Sequence, residues 1–387
     1  MAVRCFWSCK IKSEIKHLYI HIPFCYSKCH YCAFYSQLDF SDKLQNEYFH
    51  TLKRELLFYI NQYNIIPETV YIGGGNPGCV PSLLNNILLF LNENFDLRKI
   101  KEFTVECNPV NATQDLVSIF KNNFVSRVSL GVQTFDEKSL LKINRVNQNN
   151  EIVGNALELL KDLNVSIDLI NGLPDVDYIN ELNSLDACLK KYSNLNHISF
   201  YDLTIDEKSY FSIHEDEFSF PEEDRKYFFA DGIETLLKSN NFVKYEISNW
   251  SRNNKVSYHN LAYWNYENYL GIGAAAHSKI ENLRIENIPD IATYIDNFQH
   301  SREVYLLTEK ESLEEMLLMG FRTIYGISKE RLKLKCGKAE NYEKLISFLI
   351  NKDILDTKEI GRVVLTDNGR LFLDSVLVEL FELLDSF

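Results

Sequence analysis

Six short, β-prone apolar stretches alternate with amphipathic ones along the first two-thirds of this sequence, and no other feature restricts its fold as much. KHLYIHI (16–22), ETVYIGGG (68–75), EFTVEC (102–107), SRVSLGV (126–132), VSIDLI (165–170) and HISFYDLTI (197–205) read as strands. Between them run helix-like patterns such as SDKLQNEYFHTLKRELLFYINQY, PSLLNNILLFLNENF and NATQDLVSIFKNN, with others over 150–162 and around 178–191. Six strand–helix units predict an α/β fold whose parallel sheet is wound as a barrel or open barrel.

The pattern breaks after residue 240. Residues 241–306 are rich in aromatics, Gly and Ala without clean periodicity, and are expected to extend over one mouth of a barrel formed by 1–240. Residues 307–387 read as three helices, a hairpin and a final helix, which predicts a small winged-helix-like α+β module. That module often binds DNA, but 41 Lys+Arg against 54 Asp+Glu leave a net charge of −13. An acidic chain without a basic stripe is not expected to bind nucleic acid. No apolar run approaches the ~18 residues of a membrane span. MAVRCFWSCKIKSEIK is too polar for a signal peptide, so the expected location is cytoplasmic.

The nine cysteines are too sparse for a disulfide scaffold. Six are scattered, including Cys5 and Cys9 near the start of the chain. The other three, Cys25, Cys29 and Cys32, follow the first strand as Cys-x3-Cys-x2-Cys. Three thiolates on one short loop suit three irons of a four-iron cluster, with the fourth iron open to another ligand. A zinc site completed by His21 or His30 is the alternative. Gly74 and Gly75 end the second strand, where the backbone can approach a ligand. Glu106, Gln133 and Asp168 fall in or just after the next three strands and suggest one constellation at the barrel mouth.

These segments resemble the radical S-adenosylmethionine (SAM) superfamily. They are most similar to its branch of oxygen-independent coproporphyrinogen III oxidases (HemN) and haem chaperones (HemW). The likeness rests on LYIHIPFCYSKCHYCAF, VYIGGGNP, VECNP, RVSLGVQTFDEKSLLKINR, IDLINGLP, YEISNW and HNLAYWNYENYLGIGAAAHS, spread over residues 18–278. It implies a partial (β/α)6 TIM-like barrel carrying a [4Fe–4S] cluster and SAM. It also implies SAM contacts at Tyr19, Gly74, Gly75, Asn76, Glu106, Gln133, Arg145 and Asp168. Most relatives carry Thr where Asn76 stands, and the polar residue after Arg145 is here Asn147.

Within that branch, Phe34 occupies the position of the oxidases' additional cysteine, and the arm before Tyr19 is short. Both imply the chaperone type, without coproporphyrinogen oxidase activity; the oxidase is the alternative. The HNLAYW segment is similar to the HNxxYW motif linked to haem in this branch. The resemblance therefore implies haem as a third cofactor, His259 as its iron ligand, and Tyr263 and Trp264 against the macrocycle. His277 is a second ligand candidate. Haem-acceptor proteins, respiratory ones among them, are the implied partners, and a homodimer is left open.

Overall fold

The computed structural model describes residues 13–38, 40–385 and 387; Cys5 and Cys9 lie outside them. Six strands run parallel in the order of the chain: β1 (Glu14–Ile22), β2 (Asn64–Gly74), β3 (Glu102–Cys107), β4 (Arg127–Gln133), β5 (Asn164–Asn171) and β6 (Leu195–Asp202). Helices α1 (Asp42–Gln62), α2 (Pro81–Asn94), α3 (Gln114–Asn122), α4 (Glu137–Lys142), α5 (Asn150–Leu159) and α6 (Tyr178–Lys191) fill the crossovers. The α/β fold with a parallel sheet read from the sequence is therefore the fold of the chain.

In β1 the alternation is visible residue by residue. Leu18, Ile20 and Ile22 are buried in the main apolar core, while His17, Tyr19 and His21 point to the other face. On that inner face they meet polar groups of β2 and beyond. Apolar burial of each such side chain is worth about 1.5–3 kcal/mol, which fixes the register and so aims the polar row inward.

The segment after residue 240 extends the sheet at both edges. β7 (Val243–Lys244) and β8 (Asn249–Ser251) add antiparallel strands beside β6. β9 (Tyr269–Ile272) lies parallel to β1, and β10 (His277–Ile280), β11 (Leu283–Asn287) and β12 (Arg302–Leu306) continue outward, antiparallel. The result is one twelve-stranded sheet. Aromatic and Gly-rich stretches hid these strands because each is only two to five residues long.

A helix after β8, Tyr258–Trp264, packs at the start of β2, the end of the strands remote from the cysteine loop. The C-terminal part has a core of its own, including Leu317, Phe321, Leu332, Leu345, Leu349 and Leu380. Its helices surround a three-stranded antiparallel sheet in which the strand Arg362–Leu365 is central. This helix–strand–helix–helix–strand–strand order is winged-helix-like. Tyr266 belongs to that core, and the Arg284 guanidinium binds both oxygens of Glu315, tying β11 to helix Glu309–Gly320.

Candidate functional site

The loop between β1 and α1 is pinned at its base. Cys25 N donates to Gln37 O at 3.1 Å, Gln37 N to Pro23 O at 2.7 Å, and Cys32 N to Cys29 O at 3.0 Å. Cys25, Cys29 and Cys32 are all part-exposed, and burial pushes the Cys25 thiol up to about 12. Arg145 reaches the same loop from beyond α4. Its Nε donates to Cys29 Sγ at 3.2 Å, and its other nitrogens hold Gly131 O (2.7 Å), Asn108 Oδ1 (3.0 Å) and Tyr31 OH (3.1 Å). A guanidinium held by these four partners is a rigid cation beside thiol ligands.

The glycine turn closes on this loop. Gly75 N donates to Ile22 O and Asn76 N to Phe24 O. A Cβ on Gly75 would lie 2.7 Å from Phe24 O and 3.0 Å from Cys25 Sγ, so no larger residue fits between the turn and the cysteine. Gly74 has φ +117, a conformation glycine adopts without strain. Its N–H donates to Glu106 Oε2 at 3.0 Å, and Tyr71 OH donates to Glu106 Oε1 at 2.7 Å. Burial raises the Glu106 carboxyl, while those two donors hold it down.

Asp168 accepts from Ser129 Oγ at 3.2–3.3 Å and feels both Arg127 and Arg145. Tyr19 OH shares a 2.9 Å hydrogen bond with His21 Nδ1, and its ring lies 6.1 Å from Tyr71. Gln133 sits at the bulge ending β4 with φ 70. Asn76 is turned away from the chamber, bonded to Asn111 at 2.7 Å, and Asn147 is exposed. The structure thus brings Tyr19, Gly74, Gly75, Glu106, Arg145 and Asp168 around one chamber beside the three cysteines. Three thiols on one loop, a cation at Cys29 and a cradle closed to any Cβ are donor chemistry that suits a four-iron cluster, although among the described residues no three His, Cys, Asp or Glu side chains are grouped as a formed metal site. Both histidines of the zinc alternative have Nδ1 engaged away from the thiols. His21 Nδ1 is taken by Tyr19, and His30 Nδ1 lies 2.7 Å from Lys142 O, its ring stacked on Tyr210.

His259 is elsewhere. It is wholly buried at the floor of the barrel, with Nδ1 2.7 Å from Thr69 Oγ1 and Nε2 2.7 Å from Tyr263 OH. Burial, with His17 and Arg127 nearby, holds it neutral. Both ring nitrogens of the residue expected as haem ligand are thus engaged within the protein. Tyr263 packs edge-on against His259 and Tyr269, and Trp264 lies under the Arg322 guanidinium. The segment instead plugs the floor. Glu102 accepts from Tyr258 N (2.9 Å), His259 N (3.0 Å) and Ser257 Oγ (3.4 Å), anchoring the start of its helix. His277, in contrast, opens β10 at the cysteine end. It is exposed, with Nδ1 3.4 Å from Glu286 Oε1.

Sequence reasoning missed several residues. Arg127 is buried in the barrel interior between His197 and Thr104 and feels Glu102 and Asp168. Glu181, from α6, accepts from Thr134 Oγ1 and Phe135 N, fixing the turn that follows Gln133. His21, named from the sequence only for the zinc alternative, has its Nε2 without a hydrogen-bond partner among the described residues.

Residues 19–184 match the Radical SAM superfamily. The heme chaperone HemW of Bacillus subtilis is 30% identical over 94% of this chain and 98% of its own length. That of Buchnera aphidicola from Acyrthosiphon pisum is 32% identical over 93% and 96%. The chain belongs to the HemW branch of the radical SAM superfamily. The fold of this HemW-branch chain also agrees with a solved structure, coproporphyrinogen III oxidase (HemN) from Escherichia coli. The two superpose with a TM-score of 0.79 at 17% identity, over 97% of this chain and 91% of that one. Among the described residues no helix is long and apolar enough to cross a membrane.

Proposed function

We propose that this chain is a cytoplasmic haem chaperone of the HemW kind. It holds a [4Fe–4S] cluster on Cys25, Cys29 and Cys32, binds SAM beside it, and carries haem to acceptor proteins. The observation that carries the reading is the extent of the likeness: HemW relatives align over nearly their whole length, not over the cysteine loop alone. The bound cluster supplies an iron with an open coordination position and an electron for SAM chemistry. Of the chain's own residues, Arg145 orients Cys29 and offers charge to a carboxylate. Glu106 accepts from an ammonium or hydroxyl while Gly74 N fixes its carboxylate. Asp168 and Tyr19 complete the polar wall. The organisation proposed is a barrel over 1–240, an extension over 241–306 and a C-terminal module over 307–387.

On this reading His277, not His259, meets haem iron. Its imidazole is exposed on the cysteine side of the sheet, and Glu286 stands where it can hold the Nδ1 proton and orient Nε2 outward. The test is anaerobic reconstitution with iron and sulfide, followed by parallel assays of haem uptake and coproporphyrinogen III turnover. Stoichiometric haem binding, transfer to an apo-acceptor and no porphyrinogen product are expected. Multiple turnovers to protoporphyrinogen IX overturn the proposal in favour of the oxidase. His277→Ala is expected to shift the Soret band; an unchanged spectrum removes His277 as ligand.

A further inference from the structure

At the barrel end opposite the cysteine loop, a cavity of about 480 Å³ opens between β1, β10 and the C-terminal module. Four cations line it: Lys16, Lys279, Arg331 and Lys335. Lys279 is 4% exposed. Its Nζ donates to Tyr266 O at 3.1 Å and lies 3.8 Å from the centre of the Tyr266 ring. Arg331 donates to Asn265 O and Tyr266 O. Among the described residues neither Lys279 nor Arg331 has a carboxylate within ion-pair distance.

The acidic residues of the wall are already occupied. Glu14 pairs with Lys16, Glu267 with His17, and Glu281 accepts from Ser13 Oγ. A buried ammonium without a counter-ion is costly. An anion placed between Lys279 and Arg331 relieves that cost directly.

We infer that this cavity is an anion-binding site, taking a small ligand through its phosphate or carboxylate group, held by Lys279 and Arg331 with Lys335 at the rim. Beside the four cations the wall carries Tyr266, Met316 and Leu334. The site lies at the opposite end of the sheet from the cysteines, and although Lys279 shares β10 with His277 the titration below involves neither haem nor cluster, so it stands or falls independently of the chaperone reading.

The test is calorimetric titration of the full chain with inorganic phosphate and, separately, with citrate, against sodium chloride at matched ionic strength. Saturable binding of either anion is expected. Preference for phosphate assigns a phosphate-bearing ligand and preference for citrate a carboxylate. Lys279→Met and Arg331→Gln are each expected to weaken binding roughly tenfold or more, the effect of losing a charged hydrogen bond. If Lys279→Met does not fold by circular dichroism, Arg331→Gln and the less buried Lys335→Gln carry the comparison. No saturable binding in the millimolar range, an equal response to chloride, or affinity unchanged in the folded variants overturns the inference.

Discussion

At the cysteine end of the barrel, three thiols are part-exposed and His21 Nε2 has no partner among the described residues. At the other end, Glu267, His17, Thr69, His259 and Tyr263 form one buried run of hydrogen bonds of 2.7–3.0 Å. Both ends carry histidines on inward faces. The difference is satisfaction. Groups that spend their hydrogen-bonding capacity on each other hold a fold together, and groups left with capacity to spare are available to a ligand. A histidine in a functional-looking motif belongs to whichever set its neighbours assign it.

The sharpest way to break this comparison is at the cysteines. Cys29→Ala removes one thiol and the acceptor of the Arg145 Nε hydrogen bond. It is expected to abolish most charge-transfer absorbance after anaerobic reconstitution, with the far-ultraviolet dichroism unchanged. Retention of a full cluster spectrum would place the iron elsewhere. Next in size is Glu106→Ala. It frees Tyr71 OH and Gly74 N and is expected to weaken SAM binding by about 1.5–3 kcal/mol, measured by equilibrium titration of cluster-loaded protein. Equal affinity for variant and parent would move Glu106 to the structural set.

The floor gives the opposite signature. His259→Ala leaves Thr69 and Tyr263 without their shared partner and a hole where a ring stood. It is expected to lower unfolding stability by about 2–3 kcal/mol in a denaturant titration. The haem spectrum of the folded fraction should not move. A shifted Soret band with undiminished stability would reverse the assignments of His259 and His277.

The smallest effect is a pH dependence. Burial raises Glu181 to about 7, offset in part by Thr134 and Phe135. A carboxyl raised in the folded state favours folding when protonated. Its contribution is therefore full below the ordinary value near 4.5 and is lost as pH rises toward 7. Stability should decline as pH rises over that window. Glu181→Gln should flatten the profile there, and an identical slope in parent and variant would show that another group titrates.

The sequence made the cysteine end legible because its signals are local. A strand, three spaced thiols and a glycine turn each announce themselves within a dozen residues, and β3 matches its expected bounds, 102–107. Arg145 and Glu106 were found through resemblance, although their partners needed coordinates. The floor was illegible for a physical reason. Its members His17, Thr69, Glu102, Arg127 and His197 sit toward the N-terminal ends of five different strands. In the linear order each is one polar residue in an apolar run. HNLAYW was conspicuous, yet its environment depends on Thr69 and Glu102, more than 150 residues upstream. The strands after 240 were missed because sheet edges tolerate short elements that carry no periodicity.

The parallel pairing of β1 with β9 also bears on how the chain is made. β1 ends at Ile22, but its second neighbour begins only at Tyr269. At ~5–20 residues/s of synthesis, roughly 250 residues take on the order of 10–50 s to appear. For that interval β1 presents a bare backbone edge, with its apolar row beside it, to whatever is nearby. Closure over so long a separation is slow even once the chain is complete. A nascent chain of this design gains from whatever shields that edge before its own ninth strand arrives.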